Sequence, residues 1–129
     1  MFVYSLSVFG QEIYLNTSNG TLIKLNIANC NYTFVQNVSS DFFDISFHPN
    51  GNFYGIKGSG GLFEINVATG ATSFIYSFGQ AGCNSLTISN DGLVYVASGD
   101  GDLWSYDLVT NTPTTLGQLN YPPSGDLSF

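Results

Sequence analysis

The feature that most narrows what this chain can become is that it repeats. Residues 12–35, "EIYLNTSNGTLIKLNIANCNYTFV", align without a gap on residues 52–75, "NFYGIKGSGGLFEINVATGATSFI". Tyr14 then meets Tyr54, Gly20 meets Gly60, Leu22 meets Leu62, Asn26 meets Asn66 and Phe34 meets Phe74. The second stretch aligns in turn on residues 93–116, "LVYVASGDGDLWSYDLVTNTPTTL", pairing Tyr54 with Tyr95, Phe63 with Trp104 and Asn66 with Asp107. A short element precedes each copy: "SLSV" at 5–8, "DISF" at 44–47 and "SLTI" at 85–88. It returns a fourth time as "DLSF" at 126–129. A period near 40 residues implies one supersecondary unit per copy, each burying its apolar surface mainly against its neighbours.

Turn signals divide every unit into four short strands, a to d. In the middle copy, strand a is expected over 44–48, b over 53–57, c over 62–67 and d over 72–78, with "HPNG", "GSGG" and "ATG" as the turns. Strand c alternates most clearly: Phe63, Ile65 and Val67 share one face, and the matching Ile23, Leu25, Ile27 and Trp104, Tyr106, Leu108 are apolar too. One face of every unit therefore has to be covered. Four antiparallel strands per unit in tandem predict an all-β protein built of β-propeller-type blades, approximately 5–43, 44–84 and 85–125, with an extra first strand at 126–129. The expectation is a single repeat domain over 1–129.

Segments such as "LFEINVATG" and "GLVYVAS" resemble the extracellular β-propeller repeats of secreted Bacteroidota proteins. That resemblance runs along nearly the whole chain and rests on turn and core residues, so it implies a fold and is almost silent on activity. Closed propellers generally have at least four blades. Three units leave two sheet faces without a neighbour, and self-association is expected: most simply, two chains forming one six-bladed ring. The rivals are half of a longer propeller, a closed trefoil of three sheets, and a solenoid.

Composition narrows the partners. The 129 residues carry two lysines, no arginine and a formal charge of −7, so no basic surface exists to neutralise phosphates. Nucleic acid is not expected as a partner, nor is membrane insertion, since no run approaches the ~20 apolar residues of a spanning helix. Only 9% of residues are charged, and Asn, Ser, Thr and Gly dominate the polar set, which favours an extracellular or cell-surface location. "MFVYSLSVFG" has no basic start and no small-residue cleavage site, so it does not read as a signal peptide.

Catalytic chemistry finds little to work with, and no enzyme activity and no cofactor are expected. His48, the one histidine, lies in the "HPNG" turn where the next copy has Ser89, and nothing nominates a partner for acid–base work. "KGSGG" and "SGDGD" join strands, whereas phosphate loops open a helix. Asp100 and Asp102 have the alternate spacing of a calcium loop, with Asp91 as a third candidate, but calcium wants six to eight oxygens. Metal binding is therefore not expected, and a solvated acidic turn is the preferred reading.

Four N-x-S/T sequons, at Asn16, Asn19, Asn31 and Asn37, all fall in the first copy. If glycosylated, that blade alone would carry sugar. Cys30 and Cys83 belong to opposite ends of the blades, which argues against an intrachain bridge and leaves a disulfide between stacked chains as the alternative to free thiols. Cys30 also falls where Gly70 and Asn111 are expected to take a left-handed conformation, so either the turn shifts towards Asn29 or Asn31 or the thiol has a use.

Two functions emerge. The first is a non-enzymatic structural module whose partner is itself, assembling into rings that can stack. The second is a lectin- or adhesin-like propeller that binds glycans or other extracellular proteins, with Tyr76 and Tyr121 as exposed stacking residues.

Overall fold

A computed structural model describes residues 12–38 and 42–127. The strand expected at 5–8, the sequon serine Ser39 and the last two residues of the element at 126–129 lie outside them. Asp126 and Leu127 are described and belong to no strand.

The described residues contain no helix and form three antiparallel sheets. The first holds β1 (Glu12–Asn16), β2 (Thr21–Asn26) and β3 (Tyr32–Asn37). The second holds β4 (Phe42–Phe47), β5 (Phe53–Lys57), β6 (Gly61–Ile65) and β7 (Thr72–Ser77) in the order β4-β5-β6-β7. The third holds β8 (Cys83–Ile88), β9 (Leu93–Ser98), β10 (Asp102–Asp107) and β11 (Thr112–Gln118), again as a simple meander. These are propeller-like blades. The first strands β4 and β8 pack closely against each other, whereas β11 is exposed along its whole length, so the sheets fan outward from their first strands.

Local chemistry is repeated with the strands. At each b–c turn a glycine with positive φ closes the hairpin: Gly20 (79°), Gly60 (84°) and Gly101 (94°). The carbonyl of each then accepts the backbone N–H of Val38, Phe78 or Leu119 at the end of strand d. At each c–d turn the side-chain oxygen of Asn26, Asn66 or Asp107 accepts the N–H two residues on, at 2.8–3.0 Å. Strand d carries one extra residue at the same place in every sheet: the register shifts between Leu22 and Ile23, Leu62 and Phe63, and Leu103 and Trp104. Such bulges increase local twist, which suits sheets that fan.

Packing uses both faces of the middle sheet. Phe53 and Ile65 point to the first sheet and join Leu22, Val38 and Phe42 in one core. Tyr54, Ile56 and Leu62 point to the third and join Leu86, Val94, Val96 and Tyr106 in the other. The expectation that the Phe63–Ile65–Val67 face needs cover is met, and the opposite face is covered as well, because Leu62 is fully buried. Trp104 packs against the second core beside Phe78. Polar ties cross the same junctions. The Asp44 carboxylate accepts the Leu86 N–H at 2.7 Å, and the Asn16 and Gln36 amides donate to the carbonyls of Phe42 and Ala68.

Candidate functional site

The first sheet presents a face that nothing described covers. Tyr14 and Leu22 point to the second sheet, so strand alternation turns Ile13, Leu15, Ile23 and Leu25 the other way. Phe34 pairs with Ile23 and Tyr32 with Leu25 across the ladder, which places both rings on that same side. Ile13 and Leu15 are each 41% exposed and Phe34 is 59% exposed, whereas Phe53 and Ile65, the counterparts of Ile13 and Leu25 one repeat on, are 2% and 3% exposed. The same positions are thus core in one blade and surface in another. Burying a side chain of this size is worth about 1.5–3 kcal/mol, so a partner with a matching face would be held mainly by the hydrophobic effect.

The third sheet also has a side turned away from the second sheet. Val94, Val96, Trp104 and Tyr106 pack on the second sheet, which turns Tyr95 and Leu103 away from it, both half-buried. They are the repeat counterparts of Tyr54 and Leu62.

The remaining candidates scatter. Asp100 and Asp102 flank the β9–β10 turn, where the Asp100 carboxylate accepts the Gln80 amide at 3.4 Å. Asp91 lies at the other end of β9, bonded to the Ser89 hydroxyl, so it cannot complete a calcium site with them. Among the described residues no group of three or more His, Cys, Asp or Glu side chains could hold a metal ion. His48 accepts the Asn50 N–H on Nδ1 at 3.1 Å and packs over Gly92 in a cleft it shares with Asp91 and Asp107. That cleft joins the ends of the second and third sheets.

Asn19, Asn31 and Asn37 are exposed at their turns and strand end. Asn16 is half-buried, and its amide nitrogen, the atom a glycan would take, is engaged with the Phe42 carbonyl. Tyr121 is 87% exposed, as expected. Tyr76 is not a free stacking residue: it faces the third sheet and lies on Tyr106, with ring centroids 4.9 Å apart and planes at 27°. The strand-d bulge is the reason, since it pairs Tyr76 with the inward-facing Leu62.

Both thiols are free. Cys83 is fully buried in the second core, and burial pushes its thiol up to about 11, with Asp102 adding to the shift. A bridge between chains through Cys83 would require that core to open, so the geometry favours free thiols over the alternative of an interchain disulfide. Cys30 is exposed and keeps the left-handed backbone of its counterparts, with φ of 56° against 54° for Asn111 and 74° for Gly70. The turn does not shift to Asn29 or Asn31. A cysteine there bears a steric penalty of about 1–2 kcal/mol that glycine avoids, partly offset by the entropy glycine loses on folding. Cys30→Gly is expected to stabilise the fold by about 0.5 kcal/mol, read as a higher urea midpoint with an unchanged slope. A midpoint at or below that of the parent would remove this account.

No family model matches this sequence, and no curated protein matches it. Solved structures match it in shape. A chain in the crystal structure of a Nidogen/Laminin complex superposes with a TM-score of 0.73 at 9% identity, over 91% of this chain and 48% of that one. An auxiliary nutrient binding protein from Bacteroides thetaiotaomicron gives 0.65 at 15% identity, over 86% of this chain and 28% of that one. A protein of unknown function from the same organism gives 0.69 at 17% identity, over 89% and 38%. At such identities the likeness concerns the fold, and this chain spans less than half the length of each.

Proposed function

We propose that this chain is a non-enzymatic β-propeller module with a structural role, working outside the cell or at its surface by associating with other blades, most simply those of further copies of itself. The observation that carries the reading is the apolar face of the first sheet that no described residue covers, whose counterparts Phe53 and Ile65 are core one repeat on. A sheet face that meets water normally carries polar side chains, and this one carries Ile13, Leu15 and Phe34. Only 9% of residues are charged, which leaves little repulsion between copies beyond the net acidity of the chain.

Size-exclusion chromatography with light scattering tests the reading. The chain is expected to elute at a multiple of its 13.9 kDa mass at micromolar concentration. A stable monomer under those conditions sinks it.

A further inference from the structure

We infer that two copies of this chain pair first sheet to first sheet, face to face about a two-fold axis running along β2, so that β1 of each copy lies over β3 of the other. This pairing rests on the self-association proposed above and names its surface, its geometry and its occupant, a second copy.

The shape of the face sets the geometry. Two ladder rows cross it, with Ile13, Leu25 and Tyr32 in one and Leu15, Ile23 and Phe34 in the other. Each row runs from an aliphatic side chain on β1, through a half-buried one on β2, to an aromatic ring on β3. Exposure climbs along it, from 41% at Ile13 and Leu15 to 69% at Tyr32 and 59% at Phe34. The face is therefore a wedge, low along β1 and high along β3. Stacked sheets pack at an even spacing of about 10 Å, and a wedge meets that need when its low edge opposes a high one. Rotation about an axis along β2 does this: Ile13 meets the partner's Tyr32, Leu15 meets the partner's Phe34, and Ile23 and Leu25 each meet their own counterparts. Rotation about an axis across the strands would set ring edge on ring edge and leave a gap over β1, forfeiting the contacts there.

The chemistry of the face agrees. None of these six side chains is charged, although the chain carries −7, so the pairing buries no ion among them and sets no like charges against each other. Their uncovered area is on the order of 500 Å² per copy, so a pair buries roughly 1,000 Å², the lower bound of a specific interface and short of an obligate one. A contact of this isologous kind is closed: each copy spends its one face, and association stops at two.

Ile13→Glu and Tyr32→Lys test the pairing, with circular dichroism melts confirming that each variant folds. Both positions are exposed and should accept the change in the single chain. Each variant alone is expected to bind itself at least tenfold more weakly than the parent in sedimentation velocity, because an unpaired charge enters both of its contacts between β1 and β3. Mixed in equal amounts, the two should recover a two-chain species. The introduced carboxylate of one then faces the introduced amine of the other, and the remaining contact, Tyr32 against Ile13, is intact. Should either variant fail to fold, Leu15→Glu with Phe34→Lys repeats the test on the second row. A mixture that stays monomeric, or a parent that grows beyond two copies, overturns the two-fold geometry and leaves self-association standing. A variant that associates as well as the parent overturns the first sheet as the surface. A parent still monomeric at about 100 μM overturns the pairing and the self-association together.

Discussion

Replacing Leu62 with alanine is expected to destabilise the protein by about 3 kcal/mol and to lower its melting temperature by about 10 °C. Leu62 is fully buried where the second and third sheets meet, among Tyr54, Ile56, Leu86, Val94 and Val96. Truncation removes three carbons from that contact and leaves a cavity that the flanking β-strands can close only in part, because their backbone ladders hold them apart. A chain of this size has roughly 5–15 kcal/mol of stability to lose, so the variant should still fold at 25 °C. Tyr121→Ser is the control: the ring is 87% exposed, and its loss should change stability by less than about 0.5 kcal/mol. Equal melting temperatures for Leu62→Ala and the parent would mean that this junction is not packed as described.

The second large effect concerns Asp44 and pH. Its carboxylate accepts the Leu86 N–H at 2.7 Å and that of Ile45 at 2.8 Å, and satisfies a ladder donor on the edge strand β8. Burial nonetheless raises its pKa above the usual 3.8, outweighing those two bonds. A carboxyl group whose folded pKa lies above its unfolded value is destabilising when ionised. Its contribution therefore improves as pH falls through the raised pKa and levels off below 3.8. Asp91 and Asp107 act in the opposite sense. Their pKa values are lowered by the Ser89 hydroxyl and by the Val109 N–H respectively, so what they contribute is lost as pH falls below 3.8 through their folded values.

The melting temperature is accordingly expected to rise as pH drops from 7 towards 4, helped by the fading net charge, and to fall at lower pH. Asp44→Asn keeps an acceptor for Leu86 without the charge, and should show a shallower rise and at pH 7 match or exceed the parent. Asp44→Ala leaves the Leu86 donor without its acceptor and should cost about 1–2 kcal/mol at pH 7. Melts of the three proteins across this range check the account. A parent and an Asp44→Asn variant with parallel pH profiles would contradict it.

Much of the architecture was legible in the residues because its causes are local. The 40-residue period, the turn glycines and the alternation in strand c each act over a few neighbours, so the meander of strands and turns, four strands in the second and third sheets, could be read from "GGLFEINVATG" and its echoes. The Asn66 turn is of the same kind: its side chain reaches only two residues along the backbone. Where local rules left two options, as at Cys30, backbone geometry chose between them, and the cysteine took the left-handed conformation because the flanking hairpin positions demand it.

What alternation could not say was which side of each strand would meet protein and which would meet water. Tyr76 was misjudged because one inserted residue in β7 turns it towards Tyr106, and a bulge has no strong mark in composition. Cys83, placed by the repeat at one end of a blade, is core, since it begins the strand that packs against the second sheet. The candidate surface itself depends on neighbours distant in sequence. Ile13 and Phe53 hold equivalent places in equivalent strands, and only the arrangement of the sheets makes one an exposed side chain and the other a buried one. By itself, then, the sequence determined the repeating strands and turns, because those follow from short-range sterics and hydrogen bonding. Tertiary structure alone decided which apolar faces are spent inside the chain and which are left over, because burial is a property of what stands opposite.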